Sequence, residues 1–167
     1  MKPFLLIAIT IGFVAAANAQ DCNYWWDKAD PKETTSGSVV DDTVPTNVIA
    51  GIECLLKLEG RKKVGVRSGA KPEISHRVPE ASVEINALYT ISELFCGSDD
   101  FADAIALLSE PAESEGEFQT LKLNSEQYVT KAFGSYRKWF EKVKKIGLEE
   151  ARKQKLDPLA GSGVRWY

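Results

Sequence analysis

Any catalytic chemistry in this chain of 167 residues would have to come from few parts, since His76 is the only histidine and Cys22, Cys54 and Cys96 are the only thiols. One histidine cannot build a histidine-based metal site, and cysteines 32 and 42 residues apart match no zinc finger or ribbon, so neither a metal nor a cofactor is expected. His76 could act as base to a serine or cysteine nucleophile, but no Gly-x-Ser-x-Gly elbow is present to expose one, and it reads as a surface histidine. A pair of carboxylates is enough to hydrolyse a glycosidic bond. Among 24 acidic residues, Glu80 and Glu84 lie one helical turn apart, and an exposed pair at the positive start of a helix is the plainer reading. Gly161-Ser162-Gly163 is followed by no helix that would complete a phosphate loop. Tyr24, Trp25 and Trp26, or Trp139 and Phe140, have the chemistry to stack on a sugar or peptide, yet such residues are more often core. No catalytic residue is assigned.

Charge is segregated along the chain. Val78 to Glu126 carries eleven carboxylates against Lys122 alone, whereas Gln127 to Tyr167 carries ten Lys or Arg against four carboxylates. The formal charge of −3 argues against a general nucleic-acid binder, which needs surplus cations to displace phosphate counterions. Between them and the N-terminal half lies Arg61 to Val78, which has no helical periodicity and gathers Arg61, Lys62, Lys63, Arg67, Lys71, His76 and Arg77 around Gly65, Gly69 and Pro72. Long loops in compact domains are uncommon and often functional, so these seven residues are the expected partner-binding surface.

The N-terminus has the form of a secretory signal peptide: Lys2, an uncharged run from Phe4 to Ala17, and the small residues of Ala17-Asn18-Ala19 before the expected cut. The run is short for a bilayer span, and Asp21 before Cys22 does not suit lipoprotein processing, so no stable membrane insertion is expected after cleavage. Residues 20–167 are expected to form one domain of ordinary size, exported to the periplasm or the exterior. In that oxidising setting three cysteines suggest one disulfide and one spare thiol. Pairing Cys22 with Cys54 is favoured because it would tie the Tyr24-Trp25-Trp26 segment to the first helix; Cys54 with Cys96, or three buried thiols, are the alternatives.

The elements that must position these residues are read as helices. Val48, Ile49, Ile52, Leu55, Leu56 and Leu58 recur at helical spacing within 45–59, before Gly60. A second helix is expected to start at Pro79 and to carry Val83, Ala87, Leu88, Ile91, Leu94 and Phe95 up to Gly97. A third is expected from residues 98–100, with Phe101, Ala104, Ile105, Leu107 and Leu108 facing inward. The most legible begins at Asn124 or Ser125 and carries Val129, Ala132, Tyr136, Trp139, Val143 and Ile146; Gly147 separates it from a shorter one over 148–155. Trp166 and Tyr167 should pack back onto the helices. The expected fold is all-α, an irregular bundle of four to five helices, with HEAT-like helix pairs as the alternative.

The stretches Val78 to Phe95 and Tyr136 to Tyr167 resemble small exported bacterial helical proteins of unassigned activity. The resemblance implies a bacterial envelope or secreted location and brings no catalytic residue, substrate or cofactor. Taken together, these features lead to the expectation of an exported, non-enzymatic interaction or envelope accessory protein, such as an inhibitor or immunity-type binder of another protein. A carboxylate-dependent cell-wall hydrolase and a small-ligand carrier are the alternatives.

Overall fold

The computed structural model describes residues 22–30, 47–65, 78–98, 101–109 and 122–167. The expected signal peptide lies outside them, as do Arg67, Lys71, His76 and Arg77. The described residues form five helices and one small sheet: α1 (Cys22–Ala29), α2 (Val48–Leu56), α3 (Val83–Cys96), β1 (Leu107–Ser109), α4 (Glu126–Ile146), α5 (Leu148–Lys153) and β2 (Val164–Trp166). The described residues are mostly helical, in line with the expected helical fold, and they add the antiparallel pair β1–β2, in which Leu107 faces Trp166 and Ser109 faces Val164. The helices do not stack as successive HEAT-like pairs, because α3 touches α1, α2, α4 and α5.

Burial on almost every side is what makes α3 the axis of the fold. Eleven of its residues, from Val83 to Ser92 and Phe95, are buried, which is the pattern of a helix surrounded by others rather than of one with a single apolar stripe. Its polar members need partners inside. Glu84 accepts a hydrogen bond from the Gly60 N–H at 2.7 Å, and the Ser92 hydroxyl reaches the Leu88 carbonyl at 3.3 Å. The Asn86 side chain is fully buried, with neither polar atom hydrogen-bonded. The helix ends where expected, at Gly97, whose φ of 78° is the left-handed cap that glycine adopts without a Cβ clash. It does not start at Pro79. Ser82 is bridged to Val64 in an extended conformation, so the backbone turns helical only at Val83.

The α1 helix does not stand out in the sequence, being only two turns long, and it is held by three contacts with α2. Cys22 and Cys54 are disulfide-bonded with Cα atoms 5.3 Å apart, as favoured above. The Trp26 indole N–H donates to the Cys54 carbonyl at 3.0 Å. Trp25 is fully buried, with its ring lying over Gly51, where a Cβ would come within 2.5 Å of two ring atoms. That close approach explains a glycine in the middle of α2, whose first turn is capped by the Asn47 side chain accepting from Ala50 N–H at 3.1 Å.

Residues 101–109 do not form the expected third helix. Residues 104–108 are all buried, and a short run that is apolar on every side fits a buried strand as well as a buried helix turn. What decides is the partner, since Tyr167 N–H bonds to the Ala106 carbonyl at 2.9 Å and Asp103 N–H to the Tyr167 carbonyl at 2.7 Å. On the other side of β1, Asn124 clamps Leu107 twice: its N–H donates to the Leu107 carbonyl at 2.9 Å and its side-chain oxygen accepts from Leu107 N–H at 2.8 Å. The α4 helix follows as expected. Ser125 caps it through Tyr128 N–H, and Val129, Ala132, Phe133, Tyr136, Trp139, Phe140 and Val143 form its buried stripe.

Candidate functional site

Two surfaces at opposite ends of α3 carry the candidate functional groups. The first is the root of the basic segment. Its backbone is sewn to the start of α3: Val83 N–H donates to the Lys63 carbonyl at 2.9 Å, Glu84 N–H to the Arg61 carbonyl at 3.2 Å, and Gly65 N–H to the Ala81 carbonyl at 2.9 Å. Arg61, Lys62 and Lys63 are all exposed. Lys62 pairs with Glu126 at 2.6 Å and Lys63 with Asp30 at 3.1 Å. The Lys62–Glu126 hydrogen bond and charge attraction raise the lysine pKa and lower that of the glutamate. Arg67, Lys71, His76 and Arg77 lie outside the described residues, so three of the seven expected binding residues are placed.

Beside this root is a concavity of about 480 Å³ with Glu59, Glu80, Glu84 and Glu126 in its lining. It gathers four carboxylates, the groups that a carboxylate hydrolase would need. Glu80 and Glu84 are not the helix-start pair the spacing suggested: Glu80 is exposed and precedes α3, while Glu84 is buried and bound to the Gly60 amide. Glu59 is paired with Arg137, and Glu126 with Lys62. A glycosidase acid needs its pKa raised, whereas that of Glu126 is lowered. Among the described residues no three His, Cys, Asp or Glu side chains gather as a metal site requires.

The second surface is an open groove of about 530 Å³ at the far end of α3, walled by Phe95, Phe101 and Trp166 and floored by Ser92, Tyr136 and Leu159. Its floor is a closed hydrogen-bond network. The Ser92 hydroxyl donates to Leu88, so the bond between Ser92 and Tyr136 runs from the phenol to the serine oxygen. The Trp166 indole donates to the Tyr136 oxygen at 3.0 Å, with a longer contact to Ser92 at 3.3 Å. Burial pushes the Tyr136 phenol far above its ordinary pKa, against the lowering effect of those two hydrogen bonds, so it stays a donor. The network therefore holds β2 on the α3–α4 pair and fixes the Trp166 ring, which meets Tyr89 edge-on at 5.4 Å.

Cations and one thiol border this groove. Arg152 is fully engaged, donating to the Leu94 and Phe95 carbonyls at 2.8 and 2.9 Å and to Glu149 at 2.8 Å. Those two carbonyls close the C-terminal end of α3. Cys96, the thiol left over by the disulfide, is exposed at the groove. Burial and the Asp157 carboxylate raise its pKa, with Arg152 opposing, so the thiol stays protonated at neutral pH. The sequence reading missed this site entirely, because its lining comes from four separate stretches between Ser92 and Trp166. One signal was available, the Trp166-Tyr167 pair, which was expected to pack inward and does. No protein-family model, curated protein or solved structure matches the chain.

Proposed function

We propose that this protein is exported and acts without catalysis, by holding another protein against the cations that begin its basic segment. The observation that carries the proposal is the anchoring of Arg61–Gly65: three backbone hydrogen bonds, two of which make up the Val64–Ser82 bridge, fix the main chain to the start of α3 while the Arg61, Lys62 and Lys63 side chains remain in solvent. A backbone that is already fixed loses little further entropy on binding, and exposed cations suit an acidic protein surface. Ion pairs as exposed as Lys62–Glu126 and Lys63–Asp30 are readily exchanged for a partner's carboxylates. The Cys22–Cys54 bond is in keeping with an oxidising compartment outside the cytoplasm. No helix among the described residues is long and apolar enough to cross a membrane.

The test is affinity capture from the exported protein fraction, run in parallel with the Arg61→Ser, Lys62→Ser, Lys63→Ser triple variant. A stoichiometric partner that is lost in the variant and weakens as salt rises is the expected result. Capture that ignores both the substitutions and the salt would remove this surface from consideration.

A further inference from the structure

The groove at the other end of α3 differs in kind from the basic segment, and the conformation of Lys155 marks it. Helix α5 closes in a Schellman motif, with Leu156 N–H bonded to the Ala151 carbonyl at 3.1 Å and Lys155 N–H to the Arg152 carbonyl at 2.9 Å. The residue at the left-handed position of that motif is usually glycine and sometimes asparagine. Here it is Lys155, at φ 51°, one of two non-glycine residues with positive φ among those described. A lysine there strains the backbone without improving the cap, and its side chain lines the groove.

Charge complementarity points the same way. Lys155 and Arg165 both line the groove, are exposed, and form no ion pair among the described residues, in contrast to Arg152. Asp157 is the only carboxylate among the described lining residues, and its Oδ1 is occupied by the Leu159 N–H at 2.8 Å. Behind these cations stand the Phe95, Phe101 and Trp166 rings, with Trp166 locked through its indole N–H to Tyr136. A volume of about 530 Å³ is in the size class of small-ligand sites. From the strained lysine, the two cations without an ion pair among the described residues and the fixed aromatic wall, we infer that the groove binds a small aromatic monocarboxylate, with its ring on Phe101 and Trp166 and its carboxylate on Lys155 and Arg165. The site is separate from the Arg61–Lys63 surface, so either proposal can fail alone.

Two probes differing only in charge test it on the purified, oxidised protein: 2-naphthoate and the uncharged 2-naphthamide, titrated by calorimetry and by protection of Cys96 from maleimide. Naphthoate should bind at least about tenfold more tightly than naphthamide and should slow Cys96 alkylation, as loss of a charged hydrogen-bonded contact requires. Lys155→Gly should weaken naphthoate at least about tenfold while its melting temperature stays level or rises, since glycine relieves the left-handed strain. Arg165→Ser should weaken it as well. Undetectable naphthoate binding, equal binding of the two probes, alkylation of Cys96 unaffected by naphthoate, or full affinity in Lys155→Gly would each overturn the assignment.

Discussion

Replacing Gly51 by alanine sets two rules against each other. In a solvent-facing helix the change stabilises by about 1 kcal/mol, because glycine has the greater backbone entropy to lose. In α2 the new methyl would sit 2.5 Å from two atoms of the Trp25 indole and 2.9 Å from a third. Carbon atoms pack at about 3.5–4.0 Å, so the ring or the helix has to move by roughly 1 Å. Neither moves easily: Trp25 is fully buried, and α1 is tied to α2 by the Cys22–Cys54 bond and by the Trp26 indole on the Cys54 carbonyl. Overpacking of this sort costs about 1–3 kcal/mol, and the clamped ring places it in the upper part of that range. The net expectation is a loss of about 1–2 kcal/mol, or several degrees in melting temperature. Urea unfolding of the oxidised protein measures it, and a Trp25→Leu background identifies the cause: without the indole, Gly51→Ala should become neutral or stabilising, a coupling of at least about 1 kcal/mol. Gly51→Ala proteins that are more stable than the parent, or equally destabilised with and without Trp25, would refute the packing argument.

Removing the disulfide by Cys22→Ser with Cys54→Ser should lower stability by about 3–4 kcal/mol, the loop-closure entropy of a cross-link between residues 32 apart, as read by urea denaturation. Tyr136→Phe removes the phenol from a buried network and should cost about 1–2 kcal/mol, with faster hydrogen exchange at Tyr167, whose N–H is bonded to Ala106. Lys62→Gln should return the Glu126 carboxyl from its lowered pKa toward the ordinary glutamate range, followed by a side-chain NMR titration. Because the folded Glu126 value is depressed, the pair's stabilisation is present above the unfolded glutamate pKa and is lost as pH falls through the folded one. For Lys62, raised above its ordinary value, it is present below the unfolded lysine pKa and disappears as pH rises through the folded one. With both groups exposed, the melting temperature should barely change in Lys62→Gln; a large fall would show that the pair matters more than its surface position allows.

How legible each element was depends on whether its stabilising contacts are local. The α4 helix could be read from Ser125 to Gly147 because a cap, a stripe of large apolar residues and a terminating glycine all lie within it. Cys22 with Cys54 could be favoured for a related reason, since that pairing anchors an aromatic segment otherwise left without a partner. The start of α3 was misplaced because Pro79 suits a first helical turn, while the Val64–Ser82 bridge that keeps the chain extended comes from another segment. The helix expected over the residues around Leu107 failed for lack of any local cue: its apolar run is strand only because Val164–Trp166 lies beside it. In the same way, α1 owes its form to Gly51 and Cys54, and the groove to side chains from α3, α4 and the segments around α5 and β2. Its most telling residue, Lys155, looks like any exposed cation until its φ is known.

The pairing of β1 with β2 also bears on how the chain reaches this state. Leu107 meets a strand roughly 60 residues further on, so β1 has no partner until both ends of that long loop are brought together. Until then residues 104–108, Ala-Ile-Ala-Leu-Leu, are an uncharged apolar run with no strand to pair with, open to association with other chains. The eleven carboxylates between Val78 and Glu126 flank that run, and their mutual repulsion between chains is a means of keeping newly made molecules apart until Val164–Trp166 arrives. On this view the acidic middle of the chain serves the unfolded protein as much as the folded one.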